Sequence, residues 1–187
     1  MTTMDIRAAT VTFERYLDEH ADELVSFLSG SAWPFQVSSM PTADKVRGWI
    51  AEGIFSGDRQ ELHWVVAPDG ERVGMLHLEE LDEPTATTDF RLRSDMRGRG
   101  YGKAMARFAA DRVFSTHPTV VRVEAQTRVD NGAMQRVLRA SPGWVLEAYY
   151  RRSWPDADGV FLDSLGFAIL REDWAAGTVT QVAWPDE

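Results

Sequence analysis

Arg97-Gly98-Arg99-Gly100-Tyr101-Gly102 sets three glycines into six consecutive positions. Glycine tolerates φ > 0, so such a run allows an abrupt turn between two regular elements. Before it, residues 87–93 alternate, with Phe90 and Leu92 set against Asp89, Arg91 and Arg93. That is the period of a strand. After it, Tyr101, Met105, Phe108 and Ala109 form an apolar stripe, which predicts a helix over residues 103–114. Pro118 then breaks the helix ahead of a β-rich run at residues 120–125. A strand, a helical crossover and a second strand imply a parallel pair, and this unit constrains the fold more than any other.

The flanking segments supply further sheet and helix. Residues 11–17 alternate as a strand, and residues 18–28 put Ala21, Leu24, Val25 and Leu28 at helical spacing, with Asp18 expected as the N-cap. An aromatic loop, residues 29–41, carries Trp33-Pro34-Phe35 and leads to Thr42, which is expected to cap a helix bearing Val46, Trp49, Ile50 and Ile54. Residues 63–67 and 73–78 read as a hairpin turning at Pro68-Asp69-Gly70. Asn131 can cap a helix over residues 132–140 that stops at Ser141-Pro142-Gly143, and two strands follow at residues 144–154 and 161–170. With no repeat or dividing linker, we expect one α/β domain over residues 1–187, with a core at about 11–174 and an appended tail at 175–187. Its expected architecture is a single mixed, mostly antiparallel sheet with a central parallel βαβ unit and helices on both faces.

Charge narrows the function classes. Against 20 Lys and Arg stand 29 Asp and Glu, a net charge of −9 over 187 residues. Nucleic acid and anionic membrane partners need a broad positive field, so neither is expected, and cationic substrates are favoured. The absence of Cys excludes disulfides, thiolate zinc sites, iron–sulfur clusters and a cysteine nucleophile. Four scattered histidines, His20, His63, His77 and His117, give no metal spacing, so no metal is expected. The first residues lack the continuous apolar stretch of a secretion signal, and the expected compartment is the cytoplasm. Locally the sign reverses: Arg91, Arg93, Arg97, Arg99, Lys103 and Arg107 face only Asp95 within residues 91–107. Around a glycine turn that opens a helix, this composition points to a phosphate-bearing ligand.

Known phosphate loops can be tested by letter. A nucleoside-triphosphate loop would need Gly at Arg97 and Ser or Thr at Ala104, and a dinucleotide fingerprint would need its third glycine one residue later than Gly102. The pattern that fits is Q/R-x-x-G-x-G/A, met by Arg97, Gly100 and Gly102. Together with residues 121–125, Asp130-Asn131-x-Ala133, Gly143-Trp144 and the closing Leu170-Arg171-Glu172-Asp173-Trp174, it makes the chain resemble the GNAT superfamily of acetyl-CoA-dependent N-acetyltransferases. The resemblance spans roughly residues 11–174. Its D-N-x-A and L-R-x-x-W stretches look most like the ribosomal-protein N-terminal alanine acetyltransferase branch.

That resemblance implies a set of contacts. Backbone amides of Arg97, Gly98, Arg99, Gly100, Tyr101, Gly102 and Lys103 would hold the CoA pyrophosphate, with Gly100 and Gly102 keeping the approach clear. The backbone around Leu92 and Arg93 would bond the pantetheine amides, and Asn131 would touch the pantetheine arm or act only as an N-cap. Acetyl-CoA is then the co-substrate, and the acceptor a primary amine on a peptide N-terminus or a small molecule. An acyl-CoA sensor of weak activity and an aminoglycoside acetyltransferase are the alternatives. Assembly is left open, a homodimer included.

The chemistry has two gaps. Acyl transfer to nitrogen needs a neutral amine, oxyanion stabilisation and a proton for the leaving thiolate. Where the family often has a strand Glu this chain has Thr87, and where related enzymes have a Ser it has Met134. Asp89 is the candidate catalytic residue, with an ion pair to Arg91 as its plainer role. Glu79, Glu80 and Glu124 are expected to be solvated, and His77 to be a sheet residue. Tyr149 and Tyr150 could donate a proton, with one of the two facing the core, while Trp33, Phe35 and Trp154 either wall the acceptor pocket or pack. Without a base, an α-amine with pKa near 7.8 would hold several-hundred-fold more neutral nucleophile at pH 7 than a lysine amine, roughly 14% against roughly 0.04%.

Overall fold

The strand-like runs of the sequence join one seven-stranded sheet. The computed structural model describes residues 11–156 and 158–184. The strands are β1 (Thr12–Arg15), β2 (Glu61–Val66), β3 (Arg72–Glu79), β4 (Thr85–Leu92), β5 (Arg122–Arg128), β6 (Val145–Pro155) and β7 (Phe161–Leu170). They lie in the order β1-β2-β3-β4-β5-β7-β6, with β4 and β5 parallel and the other neighbours antiparallel. The helices are α1 (Ala21–Ser29), α2 (Ala43–Ala51), α3 (Tyr101–Thr116), α4 (Gly132–Arg139) and α5 (Arg171–Ala176). The expected mixed α/β architecture is therefore the observed one. Among the described residues no helix is long and apolar enough to cross a membrane.

Side-chain alternation divides the core between the two faces. Val65, Leu76, Leu78, Ala86, Val123, Ala125 and Phe167 pack with Met105, Ala106, Ala109 and Val113 of α3. The opposite face presents Leu62, Trp64 and Met75 to Leu24, Val25 and Leu28 of α1 and Val46 of α2. Burial of each Val, Leu, Met or Phe side chain among these is worth about 1.5–3 kcal/mol, so both helical layers are held by apolar area rather than by propensity. A polar clamp joins β2 to α3: the buried Glu61 carboxylate accepts from Arg112 at 2.8 and 2.9 Å, from His63 at 2.9 Å and from Arg15 at 3.3 Å. Burial alone would raise the Glu61 carboxyl, but these donors outweigh it and hold the group well below the usual carboxylate range.

Caps follow the sequence with one exception. Thr42 accepts from Lys45 N–H at 3.2 Å, and Asn131 accepts from Met134 N–H at 3.2 Å. Asp18 makes no capping bond; it starts a single 3-10 turn, Asp18–His20, that precedes α1. The closing Leu170-Arg171-x-x-Trp174 serves α3: Arg171 donates to the Phe114, His117 and Val120 carbonyls, and the Trp174 indole donates to Asp111 at 2.8 Å. The Phe114 carbonyl, in the last turn of α3, and that of the cap residue His117 are thus satisfied. The helix α5 crosses the expected core–tail boundary at residue 175, and Thr178 and Thr180 turn the chain back by bonding Asp173.

Removing the Glu61 carboxylate would leave Arg112 and His63 without their acceptor. Glu61→Ala is expected to lower the unfolding free energy at pH 7 by about 3 kcal/mol, read by denaturant titration. The clamp is present above the unfolded carboxylate pKa and is lost as pH falls through the depressed folded value, so the gap between variant and wild type should close in acid.

Candidate active site

A gap between two strands organises the site. β4 and β5 pair over only three positions, Thr85 with Arg122, Ala86 with Val123 and Thr87 with Glu124. Beyond these β4 stays with β3 as far as Leu92 and β5 stays with β7 as far as Arg128, so the two part. The Thr88 hydroxyl donates to the Glu124 carbonyl at 3.0 Å where they separate. A cavity of about 410 Å³ occupies this region, and its wall includes Phe35, Glu79, Asp89, Glu124, Asn131 and Trp154.

Backbone alternation decides which groups face the gap. In an antiparallel strand both polar groups of one residue point to the same neighbour and those of the next residue point away. Arg93 N–H donates to the Val73 carbonyl of the β3 side at 3.0 Å, so Phe90 and Leu92 turn their backbone toward the departed β5. This corrects the expectation for Arg93, whose guanidinium is also taken, by Glu71 and Asp95. The Leu92 carbonyl, turned to the gap, accepts from Arg97 Nε at 3.3 Å.

Past Leu92 the chain makes a 3-10 turn, Ser94–Met96, and then enters α3 through Gly98 and Gly100, whose φ values are +77° and +87°. Only glycine takes such values freely. Among the described residues no backbone carbonyl accepts from the N–H groups of Gly98, Arg99, Gly100, Tyr101 or Gly102. Five successive donors at the positive end of a 16-residue helix form an anion cradle that fits a pyrophosphate. The ends of the expected run fall away: Arg97 N–H donates to Ser94 at 3.4 Å and Lys103 N–H to Gly100 at 3.1 Å. Tyr101 contributes backbone only, because its side chain is buried in the core. Gly102 also answers a packing need that the expectation did not include. A Cβ there would lie 2.8 Å from a Val137 methyl carbon, so this glycine lets α3 approach α4.

The carboxylates sort by partner. Asp89 lines the cavity, but one oxygen accepts from Arg91 Nε at 2.8 Å and the other from Gln36 Nε2 at 2.7 Å. Its predicted ion pair is present, and it ties the 29–41 loop to β4. Glu124 is buried and accepts from Arg122 at 2.5 Å and Gln126 at 2.8 Å. Glu79 is the residue that sequence reasoning undervalued. It is half-buried, faces Thr87 across the β3–β4 register, and is pushed up to about 7 by burial, with Asp89 and Glu80 adding and Arg91 opposing. Alternation within one strand finds Thr87 at the family's carboxylate position and cannot see the neighbouring strand that supplies Glu79. His77, beside it, is dropped to about 4 by burial and is neutral at pH 7.

Other wall residues divide likewise. Phe35 and Trp154 line the cavity, whereas Trp33 is buried and donates from its indole to the Leu28 carbonyl at 2.9 Å. Arg128 fixes the loop by donating to the Pro34 carbonyl at 3.0 Å. Neither Tyr149 nor Tyr150 faces the core, contrary to expectation, because β6 is an edge strand whose register shifts after Tyr150; both are exposed. Tyr149 donates to Asp163 instead. Met134 lines the cavity, and no proton donor stands at that position. Among the described residues no group of three or more His, Cys, Asp and Glu side chains could hold a metal ion.

Calorimetry with EDTA present should show CoA binding, and acetyl-CoA at ~100 times its Kd should stabilise the fold by ~2.7 kcal/mol. Gly98→Val or Gly100→Val should weaken that binding by ~10-fold or more through loss of a charge-assisted contact. Gly102→Val should act first on the fold, lowering stability by about 1–3 kcal/mol through the clash with Val137.

Comparison with known proteins agrees with this geometry. A family model described as an acetyltransferase (GNAT) domain matches residues 10–141. A search of curated protein sequences finds none significantly similar to the chain. Among solved structures, spermidine N-acetyltransferase from Vibrio cholerae in complex with CoA and spermine superposes with a TM-score of 0.73 at 14% identity, covering 88% of this chain and 98% of that one. A chimera of that enzyme with hSSAT gives 0.75 at 14% identity, covering 88% and 98%. The Vibrio cholerae spermidine/spermine N-acetyltransferase in complex with manganese ions gives 0.71 at 14%, covering 90% and 97%. At these identities the likeness is one of fold. The family match extends over most of the chain and includes β4, the cradle, α3, β5 and α4, and the protein therefore belongs to the GNAT acetyltransferases.

Proposed function

We propose that the protein moves the acetyl group of acetyl-CoA to a primary amine of a small cationic acceptor. The observation that carries this reading is the continuity of the site: the N–H cradle follows directly on β4, whose freed edge borders a cavity walled by Glu79, Asp89 and Glu124. Gly98 to Gly102 would hold the pyrophosphate, and Phe90 and Leu92 the pantetheine amides. When bound, acetyl-CoA supplies a thioester carbonyl. A backbone N–H at the parting of β4 and β5 would stabilise the oxyanion that develops there. Of the three wall carboxylates Glu79 has no Arg or Lys partner among the described residues, and together with the net charge of −9 it favours a cation.

The acceptor class draws on the same wall and on the spermine-bound neighbour from Vibrio cholerae. The resemblance to the ribosomal-protein alanine branch rested on D-N-x-A and L-R-x-x-W. Asn131 caps α4 and Arg171 with Trp174 close α3, so these motifs support the fold and carry no information about the acceptor. A CoA-binding sensor is the second reading, favoured by Met134 in the position of the missing Ser.

Purified protein with acetyl-CoA should release CoA thiol in the presence of polyamines more readily than with aminoglycosides, N-terminal peptides or amino acids. CoA binding without turnover on any of these amines would favour the sensor. Asp89→Ala frees Gln36 and the loop it holds, so acceptor KM should rise more than kcat falls, and by less than the ~10²–10⁴-fold expected for loss of a general base.

A further inference from the structure

Resting on the acetyl-transfer reading, we infer that Glu79 is the general base, its carboxylate taking a proton from the acceptor ammonium in the cavity. Four acidic residues border this region, and three are otherwise disposed. Asp89 is held by Arg91 and Gln36, Glu124 by Arg122 and Gln126, and Glu80 is exposed just past the end of β3. Glu79 lines the cavity, and among the described residues no Arg or Lys lies within ion-pair distance of it. The His77 ring stands beside it, with Nδ1 3.6 Å from Glu79 Oε1, and that ring is neutral at pH 7.

Position and environment agree. Thr87 is register-paired with Glu79 on one side and with Glu124 on the other, so the carboxylate absent from β4 is supplied by the next strand on the same face. The charged and titratable groups around Glu79 are His77 and Glu80 along its own chain, Asp89 and Arg91 from β4, and Glu124 from β5. The loop wall adds only Phe35, Gln36 and Val37, which carry no charge. Burial and like charge therefore keep the Glu79 carboxyl near 7, where a base can be free and still hold a proton.

Proton and electron accounting closes. The acceptor ammonium gives one proton to Glu79, and its freed nitrogen lone pair forms the C–N bond at the thioester carbonyl. The C–S bond breaks with its electron pair going to sulfur. A second nitrogen proton passes to that thiolate, the third stays on the amide, and Glu79 returns the first to solvent. No side-chain acid is required, which accommodates Met134.

The test is kcat/KM against pH with acetyl-CoA and two acceptors, spermidine and glycinamide, whose primary amines differ in pKa. Wild type should show a limb near pH 7 that stays in place when the acceptor is changed. Glu79→Gln should lose that limb and fall ~10²–10⁴-fold, Glu79→Asp should recover part of the rate, and CoA binding should be unchanged in both. A fold-based readout accompanies it. Between the ordinary Glu value and about 7 the folded wild type keeps a proton that the unfolded chain has lost, so its Tm should decline with rising pH in that window. Glu79→Gln should lack this decline and be at least as stable as wild type at pH 8. Turnover by Glu79→Gln with the limb retained would overturn the assignment alone. Wild type that binds CoA yet acetylates neither amine would overturn the transfer reading, and the assignment with it.

Discussion

The parting of β4 from β5 after three residue pairs is the constraint on which the site depends. A parallel pair that continued would consume the N–H and C=O groups of Phe90 and Leu92 within the sheet. Because β3 and β7 each retain one of the strands, the gap opens without loss of the sheet itself. Its polar edges are backbone, so they are fixed by topology and indifferent to side-chain identity. One apolar layer and the Glu61–Arg112 clamp hold α3 against the sheet, and this sets where the five-donor cradle sits relative to the gap.

Charge is divided over the same small region. Arg91, Arg93 and Arg107 appear in the sequence as part of a basic cluster, yet each meets a carboxylate: Asp89, then Glu71 with Asp95, then Asp111. What remains for an anion is the cradle with its helix end, where oriented dipoles are already aligned, and Arg97, Arg99 and Lys103, which meet no carboxylate among the described residues. The cavity wall carries Glu79, Asp89 and Glu124, of which the last two are paired with Arg91 and Arg122.

Local patterns in the sequence made the elements legible. Periods of two and 3.6, a Pro-Asp-Gly turn and the Thr42 and Asn131 caps each act within a few residues, and each recurs in the structure. The unread parts are non-local. Glu79 borders the cavity from the strand beside β4, Gly102 meets Val137 of another helix, and Asp89 takes its loop-holding bond from Gln36, 53 residues away. Tyr149 and Tyr150 misled because the alternation rule assumes an unbroken ladder, and β6 shifts register at an edge. Thr87 stands where the family often has its Glu, and the carboxylate register-paired with it, Glu79, lies on the next strand.

Amide hydrogen exchange with and without acetyl-CoA tests the central claim most directly, because that claim concerns backbone donors. Ligand should slow exchange at Gly98, Arg99, Gly100, Tyr101 and Gly102 and at Phe90 and Leu92, while Arg93, already bonded to Val73, changes little. Binding that leaves the cradle amides unchanged and protects another surface, such as residues 139–146 beneath the tail, would contradict the account.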